Sequence, residues 1–127
     1  MDHYFMPVAV AIGGAAGSLL RYLLSMMLAR LWGTAFPYGT AAVNGIGSFC
    51  IGFLAVALVR DSDHPVAAAL LITGFLGGFT TFSSFMNETM QYMMAGAWEM
   101  AAVYLSVQLA GGILFVFLGG FLARSLF

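Results

Sequence analysis

Lysine is absent from the chain, and only four arginines and five acidic residues stand among its 127 residues. A charged share of 7% is far below the roughly one quarter usual in soluble domains, so these residues cannot build a water-facing surface. The net charge of -1 leaves no basic patch for nucleic acid or acidic headgroups. Cys50 is the lone cysteine, which excludes an intrachain disulfide and leaves the redox compartment undetermined. His3 and His64 are the only imidazoles. With no phosphate-binding loop, metal-ligand cluster or nucleophile triad, the chain has no visible apparatus for catalysis and reads as a non-enzyme. The start, Met1-Asp2-His3-Tyr4, lacks the basic region and cleavage site of a signal peptide, so the first apolar segment is expected to stay in the mature protein.

What is abundant is apolar: 62% of the residues are hydrophobic and the mean hydropathy is +0.99. Four long apolar stretches are interrupted only at Arg30 to Pro37, Arg60 to Pro65 and Gly96 to Glu99. Because a span needs about 20 apolar residues, the pattern predicts an all-α membrane protein with a single integral domain over 1–127. Its helices are expected near 4–31, 37–59, 66–94 and 97–125. Pro37 and Pro65 sit where helices begin, and Asp61, Ser62 and Asp63 offer caps to the third. Four spans put both termini and the loop near residue 62 on one side. Arg60 and Arg124 then oppose Arg30, with Arg21 inside the first span. That balance gives the positive-inside bias almost nothing to act on. A weakly fixed orientation and insertion both ways round are both open.

Small residues recur at four-residue spacing, as Ala9, Gly13 and Gly17 and as Ser48 and Gly52, where backbones can approach closely. Packing within one subunit explains any single pair, and a thin four-helix unit leaves some of these faces for a dimer. Thr40, Asn44 and Ser48 form a polar stripe at i, i+4, i+8 that needs a neighbour other than lipid. Interhelical hydrogen bonding accounts for the hydroxyls, but an amide brings two N–H groups and an acceptor to satisfy. In the third segment, Gly74, Gly77 and Gly78 followed by Thr80-Thr81 weaken a helix at membrane depth. A discontinuity is expected there, tolerated only if protein or water covers it. Freed carbonyls at Gly77 and Thr80 could coordinate a cation, and exposed N–H groups an anion.

Beyond that point Thr80, Ser84, Glu88 and Gln91 continue a polar face beside Phe82 and Phe85. Aromatic ring edges are positive, so two such rings could meet a small anion, although such a pair is ordinarily core or lipid-facing. Glu88 is the carboxylate set well inside an apolar segment and is a functional candidate. Its rivals are a structural partner for Arg21 and an interfacial helix-end residue. Arg21 itself could attract anions, snorkel or pair. On the last helix Tyr104, Gln108 and Gly112 share a face. Nine methionines, with Met86, Met90, Met93 and Met94 at helical spacing, read as gap fillers rather than a copper site.

Three blocks, Gly13-Gly14-Ala15-Ala16-Gly17-Ser18-Leu19-Leu20-Arg21-Tyr22, Gly39-Thr40-Ala41-Ala42-Val43-Asn44, and Gly74 through Phe85 with Glu88, resemble the signatures of the CrcB/Fluc fluoride channels. The likeness runs the length of the chain in order and spacing. It implies a dual-topology antiparallel homodimer in the cell inner membrane, with two pores between the subunits passing fluoride passively out of the cytoplasm. It also implies that Asn44 is a pore-lining donor, that Phe82 and Phe85 are ring-edge contacts, and that Thr81, Ser84 and Tyr104 match or neighbour a polar track, with Thr40 on the same pathway. Arg21 falls at the wide end, and carbonyls at Gly77 and Thr80 would hold a central, structural sodium ion that is not transported. Gln108 and Gly112 depart from the resemblance, which leads one to expect small hydroxyl residues there. The competing reading is a dual-topology, proton-coupled exporter of cationic drugs, which needs a membrane-embedded carboxylate, usually in the first helix, where this chain carries none.

Overall fold

The computed structural model describes residues 2–59 and 64–127. The loop calls on Arg60, Asp61, Ser62 and Asp63 lie outside the described residues. The elements are α1 (Asp2–Trp32), α2 (Tyr38–Val59), then a third span built from α3 (Pro65–Ala68), a π-helical stretch (Ala69–Leu76), α4 (Gly77–Phe79) and α5 (Phe82–Met94), and finally α6 (Trp98–Leu126). Four helical spans, His3–Trp32, Tyr38–Leu58, Pro65–Met94 and Trp98–Leu126, are long and apolar enough to cross a membrane.

Turn chemistry sets the ends. Gly33 takes φ +83 directly after α1, and its N–H donates back to Ala29 at 2.9 Å, the left-handed stop that glycine makes cheaply. Gly96, at φ +76, does the same after α5, where the Ala97 N–H reaches the Tyr92 carbonyl at 2.8 Å. Pro65 opens the third span at its first position, where its missing N–H costs nothing.

Two close-packed pairs make the body of the molecule, α1 against the first half of the third span and α2 against α6. Glycine is what lets them touch. A Cβ on Gly17 would stand 2.0 Å from the Phe75 carbonyl oxygen, and one on Gly52 would stand 2.1 Å from that of Val116. The stripes at Gly13, Gly17 and Gly52 are therefore spent on backbone contacts within one chain. Between the two pairs lies a small core of Val43, Leu76 and Phe79, flanked by Leu24, Ile51 and Leu54. Outside it, large side chains such as Ile12, Leu19, Phe117 and Phe121 are exposed. In water that much apolar surface would be penalised at about 25 cal/mol per Å², and in lipid it is not.

Because the α1 seam tolerates no added atom, Gly17→Ala should lower stability by about 1–3 kcal/mol. Gly111→Ala, at a helix-interior glycine with open space around it, should instead raise it by about 0.5–1 kcal/mol. Thermal unfolding of the two variants in detergent, compared with the parent protein, measures both.

Candidate functional site

The third span stops being helical for two residues. Leu76 accepts the last regular bond, from the Thr80 N–H at 3.0 Å, and also the Thr80 hydroxyl at 2.8 Å. Thr80 (φ -83, ψ 158) and Thr81 (φ -149, ψ 117) are extended, and α5 begins at Phe82. Thr81 caps it, its hydroxyl accepting from the Ser84 N–H at 3.2 Å, the favoured use of a Thr before a helix. Room for the bend comes from α2, where a Cβ on Gly47 would sit 2.1 Å from the Thr80 methyl.

An extended stretch at this depth leaves main-chain groups without ladder partners, and each needs another. Asn44 on α2 supplies them. Its Oδ1 accepts from the Thr81 N–H at 2.8 Å, and its Nδ2 donates to the Thr81 carbonyl at 3.0 Å. The amide thus pairs with one residue's N–H and C=O as a neighbouring β-strand would. The ladder above is altered as a result. Thr81 N–H, the partner a helix would give Gly77, goes to Asn44, and Ser84 N–H, the partner of Thr80, goes to the Thr81 hydroxyl.

From Asn44 the polar groups continue across α6. Nδ2 also donates to Gln108 Oε1 at 3.3 Å, and Gln108 Nε2 donates to the Tyr104 hydroxyl at 3.1 Å. Tyr104, fully buried, donates to Glu88 Oε2. The other carboxylate oxygen accepts from the Thr40 hydroxyl at 2.6 Å. Arg21 is not the partner of this carboxylate in the hydrogen-bond network: its Nε donates to the Gly78 carbonyl at 3.0 Å. Arg21 does share a cavity with Glu88, a space of about 470 Å³ also bordered by Ser25, Thr40, Thr81 and Ser84. A second cavity of about 370 Å³ is bordered by Asn44, Ser48, Gly77, Thr80, Thr81 and Phe82. Thr81 borders both, so the extended main chain stands between them.

Phe82 and Phe85 lie edge to face, centroids 5.9 Å apart at 88°. Their surroundings differ, since Phe82 is 69% exposed and Phe85 only 4%. Phe85 also meets Tyr104 edge to face at 5.2 Å. The sequence reading missed two parts of this arrangement, the bridging of Asn44 and Tyr104 by Gln108 and the use of Gly47. The i, i+4 spacing of Tyr104 and Gln108 was the available signal for the first. Among the described residues no group of three or more His, Cys, Asp or Glu could hold a metal ion.

A family model described as CrcB-like protein, Camphor Resistance, matches residues 8–120. The chain belongs to the CrcB family. Within it, a relative from Roseiflexus sp. (strain RS-1) is 49% identical over 120 residues, covering 94% of this chain and 97% of the relative. One from Allorhizobium ampelinum is 45% identical over 121 residues, 94% and 97%, and one from Legionella pneumophila (strain Paris) is 43% identical over 118 residues, 92% and 88%. Each carries the name fluoride-specific ion channel FluC. Four apolar spans in a CrcB chain make it a multi-pass membrane protein.

The pairing of Asn44 with Thr81 has a measurable cost of removal. Asn44→Asp keeps the shape and the acceptor for the Thr81 N–H but sets an oxygen against the Thr81 carbonyl. The variant should lose about 2 kcal/mol or more of stability, read as a lowered midpoint of thermal unfolding in detergent.

Proposed function

We propose that this CrcB chain is a fluoride-selective channel of the cell inner membrane, through which fluoride leaves the cytoplasm passively and which thereby confers fluoride resistance. The observation that carries the reading is the pair of cavities meeting at Thr81, bordered by hydroxyls, the Asn44 amide and the Phe82 ring, with Arg21 and Glu88 on the larger one. The printed name of the relatives agrees with it. Fluoride is small and tightly hydrated, so a pore must replace its water with donors at short range and then let it go. Neutral donors meet both demands, whereas a row of fixed positive charges would hold the ion. Arg21, on the larger cavity, draws anions toward Ser84 and Thr81, which border the same space, while the Thr40 and Tyr104 hydroxyls are engaged by Glu88. Thr81 and Asn44 pass the ion on, Asn44 exchanging one of its hydrogen bonds for the anion. Phe82 and Phe85 offer the positive ring edge beside them.

In this reading a single chain is half of the device. The exposed Phe82 and the second cavity are the face that a second copy covers, inserted the opposite way round, which the near-balanced loop arginines permit. The carbonyls of Gly77 and Thr80, whose usual helical partners are engaged elsewhere, would hold a sodium ion there. The donor chemistry fits a hard cation, and two carbonyls from one chain are a partial shell that a second copy doubles. The ion would supply a fixed positive charge at the centre and is not itself transported.

Purified protein in liposomes loaded with fluoride should release it, and should retain chloride. Phe82→Ala should slow the release at least about tenfold by removing a ring edge from the path, and omission of sodium should lower it as well. An exporter of cationic drugs predicts the opposite pattern: Glu88→Gln would abolish transport while Phe82→Ala would spare it.

A further inference from the structure

The hydrogen bonds that run from Asn44 through Gln108 and Tyr104 to Glu88 share one direction, and that direction is not free to reverse. A peptide group cannot be turned end for end, so the Thr81 N–H and C=O determine which end of the Asn44 amide faces them. The remaining Nδ2 hydrogen then points at Gln108, which must present Oε1 to it. Gln108 Nε2 is thereby turned to the Tyr104 hydroxyl. A hydroxyl that accepts there has its single hydrogen left for Glu88 Oε2. Each amide is set by the one before it, from the extended main chain to the carboxylate.

We propose that Gln108 is the positioning residue of this chain, the link through which the extended Thr81 main chain and the Glu88 end of the larger cavity sense one another. A small hydroxyl at position 108 could not do this. A serine hydroxyl also carries an acceptor and a donor, but its oxygen lies two bonds nearer the backbone, whereas the longer glutamine amide reaches both neighbours. Gly112, one turn further along α6, has only the Ser48 hydroxyl within reach of an added Cβ, at 3.6 Å, and leaves space beside the longer side chain. The meaning of the link for transport rests on the fluoride reading above. The link itself does not.

Other groups face Glu88 and bear on the test. Tyr104 comes from α6 and the neutral Thr40 from α2, Arg21 on α1 borders the same cavity, and Tyr92 on its own helix lies edge to face with Tyr104 at 6.1 Å. The measurement is amide hydrogen exchange at Thr81 by NMR on the labelled full chain in lipid nanodiscs. Tyr104→Phe removes the last donor of the row. If Gln108 is the link, Tyr104→Phe should speed Thr81 exchange about fivefold when Gln108 is present, and by less than about twofold in a Gln108→Met background. A merely space-filling Gln108 predicts the same acceleration in both backgrounds, and that outcome overturns the proposal, as does an unchanged Thr81 in Tyr104→Phe alone. Should Gln108→Met not be recovered folded, Gln108→Asn, a methylene too short to reach both neighbours, is read in the same way. Liposomes of the parent protein that hold their fluoride would remove the channel reading and leave the exchange result standing.

Discussion

A peptide that leaves the helical ladder inside a membrane must find new partners for its N–H and C=O, because hydrocarbon offers none and each unmet group costs several kcal/mol. The side-chain amide of Asn44 meets that demand for Thr81 with two bonds. Much else in the site follows. The bend ends α4 and starts α5 with Thr81 as its cap, sets Phe82 and Phe85 beside each other, and leaves Thr81 bordering both polar cavities.

The bend also depends on where no side chain stands. Gly47 admits the Thr80 methyl, and Gly17 and Gly52 let the flanking backbones close on one another. These contacts bring the four spans together with little help from the hydrophobic effect, which is weak between surfaces that lipid would solvate equally well. Packing and hydrogen bonding carry the load instead. That fits the polar groups gathering at the places where the packing opens.

The four spans were legible because hydropathy and turn residues report on length and ends, and both act locally. The face carrying Thr40, Asn44 and Ser48 was legible from its period. Which helix that face meets was not, since the partners lie far along the chain: Thr40 meets Glu88, and Asn44 meets Thr81 and Gln108. Helical spacing places a residue on a face and says nothing about what stands opposite. For the same reason Glu88 had Arg21 as one candidate partner, while its oxygens accept from Thr40 and Tyr104 and Arg21 serves the Gly78 carbonyl. Gln108 stood out in the sequence as sharing a face with Tyr104 and as a departure from the family resemblance. Its bridging role needed α2 and α6 to be packed side by side.

Neutral amides and hydroxyls at the meeting of two cavities suit an anion that must bind and leave. The most direct test of this account is a fluoride titration followed by the ¹⁵N signals of the Asn44 side chain and the Thr81 amide in lipid, with chloride as the control. The account predicts saturable shifts of both signals with fluoride and none with chloride. Signals that stay still under fluoride, in protein that demonstrably passes the ion, would place its path elsewhere and contradict the account.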